Sequence, residues 1–444
     1  MPTAHVKKHI SSFQIIILGF LSVILVGTLL LMLPFSTKSG NGASFSCALF
    51  TSTSATCVTG LVLQDTFTYW SFFGQLVILF LIQIGGMGIV TVAVAIAVFS
   101  GRKIGLMQRS AMQEAIAAPQ VGGIVRMTGF IIKAAAVSEL IGAALLSTVF
   151  CPEFGVPKGI WYSLFHSVSA FCNAGFDLMG TKQHFSSFTS YSAVPVVNLV
   201  FMGLIIFGGI GFLTWDDIRK NKWHFKKYRM QSKVILTVTG LLIFLPAVYF
   251  FFFEFSDLPF SERIWTSIFQ AVTPRTAGFN TVDMTVLSDS GKTLVIFLML
   301  IGGSPGSTAG GMKTTTVAVL VSGAMSVFRK KERTHFFGRC IPDGTERNAA
   351  TIALMYTALF LTSGMAISRI ENIPILSALF ESASAIGTVG LTLGITPSLS
   401  IISQFILIIL MFFGRVGGLT LIFAVFSKII SNHSNFPQEK ITVG

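Results

Sequence analysis

The sequence is poor in charged residues. Only 11% of its 444 residues are Asp, Glu, Lys or Arg, whereas a soluble globular domain has roughly 25%. Hydrophobic residues account for 52% of the chain. So few charges exclude an ordinary water-soluble domain, and the composition favours an integral membrane protein surrounded by lipid.

Cysteine is also scarce. The five cysteines have none of the spacings of a metal site, and an odd number cannot close a disulfide framework. We therefore expect them to be small packing residues. The apolar runs lack the clustered His, Asp and Glu that intramembrane catalysis needs, so an enzyme and an organic cofactor are not expected.

The net charge of +13 comes from basic residues that lie almost entirely in short loops between apolar runs. This distribution is typical of membrane orientation and not of a nucleic-acid-binding patch. No nucleic acid partner is expected. Membrane lipid is the predicted surrounding of the chain.

Apolar runs long enough to cross a bilayer, about 20 helical residues each, recur along the chain. Eight spans are predicted at 10–33, 70–98, 124–150, 192–215, 231–254, 287–325, 348–369 and 398–427. An even number places both termini on one side, and the segments on that side hold 22 of the 31 Lys and Arg residues. The positive-inside bias predicts a multi-pass plasma-membrane protein with both termini in the cytoplasm.

Four segments of modest hydrophobicity, each lying between two spans, share a pattern. In each one a Phe is followed nine or ten residues later by a Gly: Phe50 and Gly60, Phe165 and Gly175, Phe269 and Gly278, Phe380 and Gly390. About ten helical residues precede the small-residue run, too few to cross a bilayer. Each segment is therefore predicted to enter the membrane and return, which is tolerated only where protein or water covers the irregular backbone.

This repeat predicts an all-α integral membrane fold of four span–pore-loop–span units, arranged with pseudo-fourfold symmetry around one pore. Inverted repeats need an odd number of crossings per unit, so two crossings exclude them. The predicted units are 1–98 with pore loop 43–61, 99–215 with pore loop 159–176, 216–325 with pore loop 261–279, and 326–430 with pore loop 374–391. Residues 431–444 are predicted to form a cytoplasmic tail.

Four small-residue loops that meet on one axis can replace the hydration shell of a monovalent cation with carbonyl oxygens. Glycine permits the backbone angles that turn carbonyl groups inward. The predicted ion-binding filter for K⁺ consists of Val58, Thr59, Gly60, Asn173, Ala174, Gly175, Thr276, Ala277, Gly278, Thr388, Val389 and Gly390. The alternative is that these glycines only pack re-entrant hairpins.

The sixth span contains five glycines and a proline within residues 302–311, which no stable helix tolerates. Irregular backbone at that depth must face the pore, so residues 302–314 are predicted to form a flexible intramembrane barrier. The stretch nearly matches a phosphate-binding loop, but Met312 separates Gly311 from Lys313. The candidate gate residues are Gly306, Ser307, Thr308, Ala309, Gly310, Gly311 and Lys313.

Arg415 in the last span is a second unusual feature. A charged residue inside a span is a functional candidate by default, and the alternative is an anchor whose side chain extends to the inner interface.

These loops resemble those of the Trk, Ktr and HKT superfamily of potassium and sodium transporters. The third loop, from Thr273 to Phe279, and the interrupted sixth span are most similar to the Ktr membrane subunit. The resemblance implies that residues 302–314 act as a gate and that Arg415 faces the permeation path. It also implies potassium selectivity, because a glycine at the position of Gly60 marks the potassium-selective branch and a serine the sodium-selective one.

The resemblance further implies a homodimer, with Ser431–Gly444 near the contact, and a soluble cytoplasmic ring of nucleotide-binding regulatory subunits. The predicted function is gated potassium uptake, with sodium stimulation left open. The alternatives are a sodium-selective carrier of the same superfamily and a membrane enzyme or receptor that conducts nothing.

Overall fold

The computed structural model describes residues 11–100, 105–116, 122–181, 184–331, 333–418 and 420. In this part of the chain nearly all regular structure is helical. The α-helices are α1 Ser12–Leu31, α2 Phe45–Thr56, α3 Thr66–Tyr69, α4 Phe72–Met87, α5 Ile89–Phe99, α6 Leu106–Ala115, α7 Ile124–Phe154, α8 Val156–Phe171, α9 Pro195–Gly209, α10 Phe212–Asn221, α11 Met230–Tyr249, α12 Phe260–Val272, α13 Asp289–Leu300, α14 Thr314–Phe328, α15 Thr345–Glu371, α16 Ile375–Gly387 and α17 Ile401–Val416. Two short strands, β1 His335–Phe336 and β2 Arg339–Cys340, pair antiparallel.

Four helices of the described chain are long and apolar enough to cross a membrane as single helices. They are α1, α7, α11 together with the π-helical turn that extends it to Glu254, and α15. Each packs against the short helix that follows it, α2, α8, α12 or α16. The order of long helix and short helix therefore recurs four times.

Serine hydroxyls bind three of these short helices to their long partners. Ser52 of α2 donates a hydrogen bond of 2.7 Å to the carbonyl of Ile24 in α1, and Ser167 of α8 donates one of 2.6 Å to the carbonyl of Glu139 in α7. In the fourth pair the hydroxyls of Ser363 and Ser382 lie 3.0 Å apart. Hydrogen bonds of this kind hold a short helix at a defined depth beside a long one.

Two predicted spans, 70–98 and 192–215, are not continuous helices. α4 and α5 are bent by 95° and α9 and α10 by 100°, each at a short break. Glycines with positive φ, Gly88 at +83° and Gly211 at +91°, occupy the breaks. Each bent pair can still form one broken span. The bends themselves were not predicted, because apolar composition continues through them and the glycine conformation marks the turn.

The predicted sixth span, 287–325, comprises two helices, α13 and α14, separated by residues 302–313, which form no helix. Three predicted unit boundaries, after residues 98, 215 and 325, fall inside α5, α10 and α14. The last predicted span, 398–427, is described as α17 only up to Val416. The tail 431–444 and the first ten residues lie outside the described residues.

Candidate functional site

Each of the four short helices ends one to four residues before one of the predicted filter triplets. In every triplet the first and third residues have positive φ and the middle one does not. The first residues are Val58 (+51°), Asn173 (+57°), Thr276 (+74°) and Thr388 (+51°), and the third are Gly60 (+92°), Gly175 (+71°), Gly278 (+79°) and Gly390 (+94°). Because such angles are strained for residues with a side chain, the four triplets share one unusual backbone shape.

The third residues of the triplets lie side by side in a closed ring. A Cβ atom built on Gly60 would lie 2.6 Å from the carbonyl oxygen of Ala174, and one built on Gly175 would lie 2.9 Å from that of Ala277. A Cβ on Gly278 would collide with the carbonyl oxygen of Val389, and one on Gly390 with that of Thr59. The order of contacts is thus first loop to second, second to third, third to fourth, and fourth back to first. The ring leaves no room for a side chain on its glycines.

A hydroxyl residue four positions after the repeat Phe supports each triplet, and sequence reasoning missed it. The residues are Ser54, Ser169, Thr273 and Ser384, and the carbonyl oxygen of each accepts a hydrogen bond of 2.8 to 3.0 Å from the N–H of the middle triplet residue. The signal was present as a Phe-x-x-x-Ser/Thr spacing in all four segments.

The side-chain hydroxyls of these four residues act in two different ways. In the first and fourth loops, Ser54 and Ser384 accept a hydrogen bond from the N–H of the triplet glycine, at 3.1 and 3.0 Å. In the second loop, Ser169 instead donates to the carbonyl of Phe176 at 2.7 Å, and Thr273 likewise donates to the carbonyl of Phe279 in the third loop. The hydroxyl therefore acts as an acceptor in the first and fourth loops and as a donor in the second and third.

The residue directly after the repeat Phe supports the segment beyond the glycine in two loops. The Nε2 atom of His166 accepts a hydrogen bond of 2.9 Å from the N–H of Leu178, and Glu381 accepts one of 3.3 Å from the N–H of Leu393. Leu178 and Leu393 both lie three residues after their triplet glycine. His166 also bonds the carbonyl of Tyr162 through Nδ1 at 2.7 Å, so the imidazole is neutral with its proton on Nδ1.

Several buried oxygens of the triplets have no protein partner among the described residues. They are the hydroxyls of Thr59 and Thr388 and Oδ1 of Asn173. Buried polar atoms are normally hydrogen-bonded. Unpaired oxygens beside a ring of carbonyl groups fit a dehydrated monovalent cation, which the four helix C-termini next to them also favour through their partial negative charge.

A small cavity of about 30 Å³ lies beside two of the ring glycines, Gly60 and Gly175. Two carboxyl residues, Asp65 and Asp177, line it. The carboxylate of Asp65 is held by the N–H groups of Thr68 at 2.9 Å and Phe185 at 3.1 Å. Burial raises the pKa of Asp177 to about 7, so the negative potential that attracts cations beside the ring comes mainly from the Asp65 carboxylate.

The irregular segment 302–313 lies against the ring from another side. A Cβ atom built on Gly310 would collide with the side chain of Thr388, and one built on Gly311 would lie 2.9 Å from the carbonyl oxygen of Gly387. The hydroxyl of Thr308 donates a hydrogen bond of 3.0 Å to the carbonyl of Phe171, the last residue of α8. The candidate gate residues and the candidate filter residues are therefore in direct contact.

Neighbouring helix ends also hold this segment by its backbone. The N–H groups of Ser304 and Thr308 donate to the carbonyls of Gly209 and Gly208, at 3.0 and 3.2 Å. The N–H of Gly311 donates to the carbonyl of Gly414 in α17 at 3.0 Å. These three bonds join the irregular segment to α9 and α17. Movement of the segment away from these helices requires that they break.

Arg415 connects the irregular segment 302–313 to the C-terminal end of α4. Its guanidinium donates to the carbonyl of Thr308 in the irregular segment and to the carbonyls of Gly85 and Gly86 at the end of α4, the last at 3.1 Å. Lys313 turns back on its own segment and donates to the carbonyls of Ala309 at 2.9 Å and Gly310 at 3.3 Å.

Arg275, which lies inside the third loop, is buried, and its guanidinium lies 3.4 Å from the hydroxyl of Thr239 in α11. The positive charge is thus directed toward a long helix behind the loop.

Comparison with known proteins identifies the family. The cation transport protein family TrkH matches residues 5–436. The chain belongs to this family. The resemblance to potassium transporters that the loops suggested is confirmed.

Individual relatives of this TrkH family member cover almost its whole length. The potassium/sodium uptake protein NtpJ of Enterococcus hirae is 41% identical over 99% of this chain and 98% of its own. The Ktr system potassium uptake protein B of Bacillus subtilis is 39% identical over 97% of this chain and 96% of its own. Among solved structures, the potassium transporter TrkH of Vibrio parahaemolyticus has a TM-score of 0.73 at 21% identity, covering 95% of this chain and 86% of that one.

These findings establish a multi-pass, mostly helical membrane protein with the fold of TrkH. The family and the named relatives are ion transporters, and the chain is accordingly a cation transporter and not an enzyme.

Proposed function

We propose that this TrkH family member takes up potassium ions through a filter formed by the four triplets. The observation that carries the proposal is the closed ring of Gly60, Gly175, Gly278 and Gly390. Carbonyl oxygens of a ring of this kind replace the water around a monovalent cation. The absence of carboxylates from the triplets themselves favours monovalent over divalent ions, which bind carboxylate oxygens.

The proposed architecture is four units, each with a re-entrant short helix, in pseudo-fourfold order around this ring. The fourfold recurrence of long helix, short helix and triplet supports it, as does the cyclic order of loop contacts. In this arrangement α4 with α5, α9 with α10, and α13 with α14 complete the second crossing of the first three units, and α17 that of the fourth. Eight crossings follow from it, and the excess of Lys and Arg in the segments on the side of the termini supports a cytoplasmic location for both termini.

The segment 302–313 is proposed to be the gate, held closed by Arg415. It lies directly against Thr388 and Gly387 of the fourth loop. A guanidinium that donates to carbonyls of both the segment and α4 joins a movable element to a fixed one. Opening requires the loss of charge-assisted hydrogen bonds, which are stronger than neutral ones.

The names of the relatives support potassium as the transported ion and leave sodium as a second candidate, because one of them is a potassium/sodium uptake protein. A homodimer and a soluble regulatory ring of nucleotide-binding subunits are further parts of the proposal. The Ktr systems named among the relatives support the view that the membrane subunit works with other components.

The experiment is ion competition in proteoliposomes that contain the purified chain. Uptake of labelled rubidium is measured against external potassium or sodium. We expect potassium to compete at concentrations about tenfold or more below those of sodium. Stronger competition by sodium would replace the potassium proposal with the sodium carrier, and equal competition would reject selectivity for potassium. No uptake above empty vesicles would reject a conducting ring.

Deletion of residues 306–311 tests the gate separately. We expect the deletion to raise basal rubidium flux while potassium still outcompetes sodium, since the ring remains. Unchanged or lower flux would contradict a gating role for the segment.

A further inference from the structure

A cavity of about 690 Å³ lies away from the ring, between the first three turns of α7 and the helix α10. Five basic residues line it: Arg126, Lys133, Arg219, Lys220 and Arg229. Asp216 is the one acidic residue in this lining. The lining residues therefore carry an excess of four positive charges, one of which, on Arg229, is also paired at 3.5 Å with Asp217 just outside the lining.

Asp216 is already engaged by the basic residues nearest to it. Its carboxylate lies 2.6 Å from the Lys220 ammonium, 3.4 Å from the Arg219 guanidinium and 3.6 Å from that of Arg229. Within the described part of the chain, Arg126 and Lys133 have no carboxylate within salt-bridge distance, and both are exposed to the cavity side of α7. Two positive charges are left to attract an anionic ligand.

The same cavity has an apolar wall made of Met127 and Phe130 on α7 and Leu213 on α10. The Arg219 guanidinium stacks 4.4 Å from the centre of the Phe130 ring, which places a fixed positive charge directly on this wall. A ligand that fits must therefore carry an anionic group joined to apolar chains.

The depth of the cavity selects between a lipid and a soluble partner. Arg126 and Lys133 are seven residues apart on one face of α7, which corresponds to roughly 10 Å along the helix axis. Because α7 is long and apolar enough to cross a membrane and α10 turns 100° away from the apolar helix α9, we expect the cavity to lie where headgroups meet acyl chains. At that depth a lipid headgroup reaches Lys133 along the helix, whereas a folded soluble domain would have to enter the headgroup layer to do so.

We propose that this cavity binds the phosphate headgroup of an anionic phospholipid, with Arg126 and Lys133 as its principal phosphate contacts. Basic pockets between membrane helices are suited to such headgroups. Guanidinium groups bind phosphate oxygens in a fixed geometry, and a lysine adds a point charge.

The cavity is joined to segment 302–313 by two backbone contacts. The carbonyl of Ile116, which lines the cavity, abuts Gly306 of the segment. The N–H of Phe212, the first residue of α10, donates a hydrogen bond of 2.7 Å to the carbonyl of Gly306. A lipid that braces α10 against α7 thus holds the neighbours of Gly306 in place, and this regulatory consequence rests on the proposed gating function.

The first test measures binding alone, on the full chain in mixed micelles. Retained phosphatidylglycerol and phosphatidylcholine are counted by native mass spectrometry for wild type and for Arg126→Gln/Lys133→Gln. The matched control is Lys226→Gln/Lys227→Gln, which removes two exposed charges outside the cavity. At about 1 kcal/mol per basic residue near an anionic lipid, the cavity pair should lower phosphatidylglycerol affinity by roughly thirtyfold, and the control pair by less than about threefold.

Equal lipid retention by the two pairs would overturn the proposal. Displacement of phosphatidylglycerol by millimolar inorganic phosphate would identify free phosphate as the ligand and would also overturn it. Lys133→Gln alone, which keeps the exposed Arg126, tests the same site if the double variant misfolds. It should lower affinity by roughly fivefold while the thermal unfolding midpoint stays that of wild type.

The second test measures rubidium flux in vesicles of phosphatidylcholine with and without phosphatidylglycerol. Wild type and the control pair should respond to phosphatidylglycerol, and the cavity pair should not. Lipid binding that depends on the cavity without any change in flux would keep the site and remove its link to the gate. Loss of all flux would instead affect the proposed function, which the binding test does not need.

Discussion

Gly310 and Thr388 are in such close contact that a single added methyl group at Gly310 would overlap the threonine side chain. One residue belongs to the irregular segment between α13 and α14, and the other opens the fourth triplet. Segment 302–313 and the ring are thus in direct contact, so a change in the packing of one displaces the other.

Gly310→Ala should displace the segment from the ring. Overpacking of a well-packed site costs about 1–3 kcal/mol, so we expect basal rubidium flux in proteoliposomes to rise by roughly tenfold. Gly203→Ala in α9 is the matched control, because a Cβ there meets nothing within 4 Å. Equal flux in the two variants would show that the contact does not restrain opening.

Arg415→Ala should remove the link between the segment and α4. Three carbonyls lose their donor, and a hydrogen bond to a charged group contributes about 1.5–3 kcal/mol. We therefore expect basal flux to rise by about tenfold or more. Arg415→Lys keeps the charge but not the planar fork that reaches several carbonyls at once, and should give an intermediate flux. A lysine variant identical to wild type would mean that charge alone closes the path.

Ser384→Ala should reduce selectivity more than Ser169→Ala does. The first change leaves the buried N–H of Gly390 without an acceptor, at a cost of about 1–3 kcal/mol. The second removes only a donor to a carbonyl, which has a second lone pair. The ratio of the sodium to the potassium concentration needed to inhibit rubidium uptake should fall by roughly tenfold in Ser384→Ala. Thr362→Ala removes a lipid-side hydroxyl that bonds only its own helix and should leave it unchanged. The opposite ranking of the two serine variants would refute this account of the ring's support.

Glu381→Leu should destabilise the fourth loop. The buried carboxylate accepts from the hydroxyls of Thr392 and Thr396 and from the N–H of Leu393. Leucine removes these three hydrogen bonds and leaves the N–H of Leu393 without an acceptor, at a cost of about 1–3 kcal/mol, while the hydroxyls of Thr392 and Thr396 still bond each other at 3.0 Å. We expect a lower unfolding midpoint in detergent and weaker discrimination against sodium. Glu381→Gln keeps an acceptor oxygen and should retain most of both, and a leucine variant with wild-type behaviour would exclude this support role.

The pattern of long and short helices could be predicted from the sequence because it depends on local composition. Apolar length marks α1, α7, α11 and α15, and the Phe-to-Gly spacing marks the short helices and their triplets. The 95° and 100° bends could not be predicted in the same way. Their apolar composition continues through Gly88 and Gly211, and only the positive φ of these glycines reveals the turn.

The candidate site shows the same difference between local features, which the sequence predicts, and contacts between distant residues, which it does not. The triplets were found because their small residues recur at a fixed spacing. The partners of Arg415 could not be found, because Thr308, Gly85 and Gly86 are 107 to 330 positions away in the chain. The support by Ser54, Ser169, Thr273 and Ser384 was within reach, since all four follow the repeat Phe by four positions, but hydroxyl residues near glycines are common and draw no attention by themselves.

The two kinds of hydroxyl support have a consequence for how such a protein changes over evolutionary time. Because each of the four loops of the ring is encoded separately, a mutation alters one loop and leaves the other three unchanged. In a tetramer of identical subunits, the same mutation would alter all four. In the proposed filter, preference between ions of similar size can therefore be adjusted in small steps, one loop at a time.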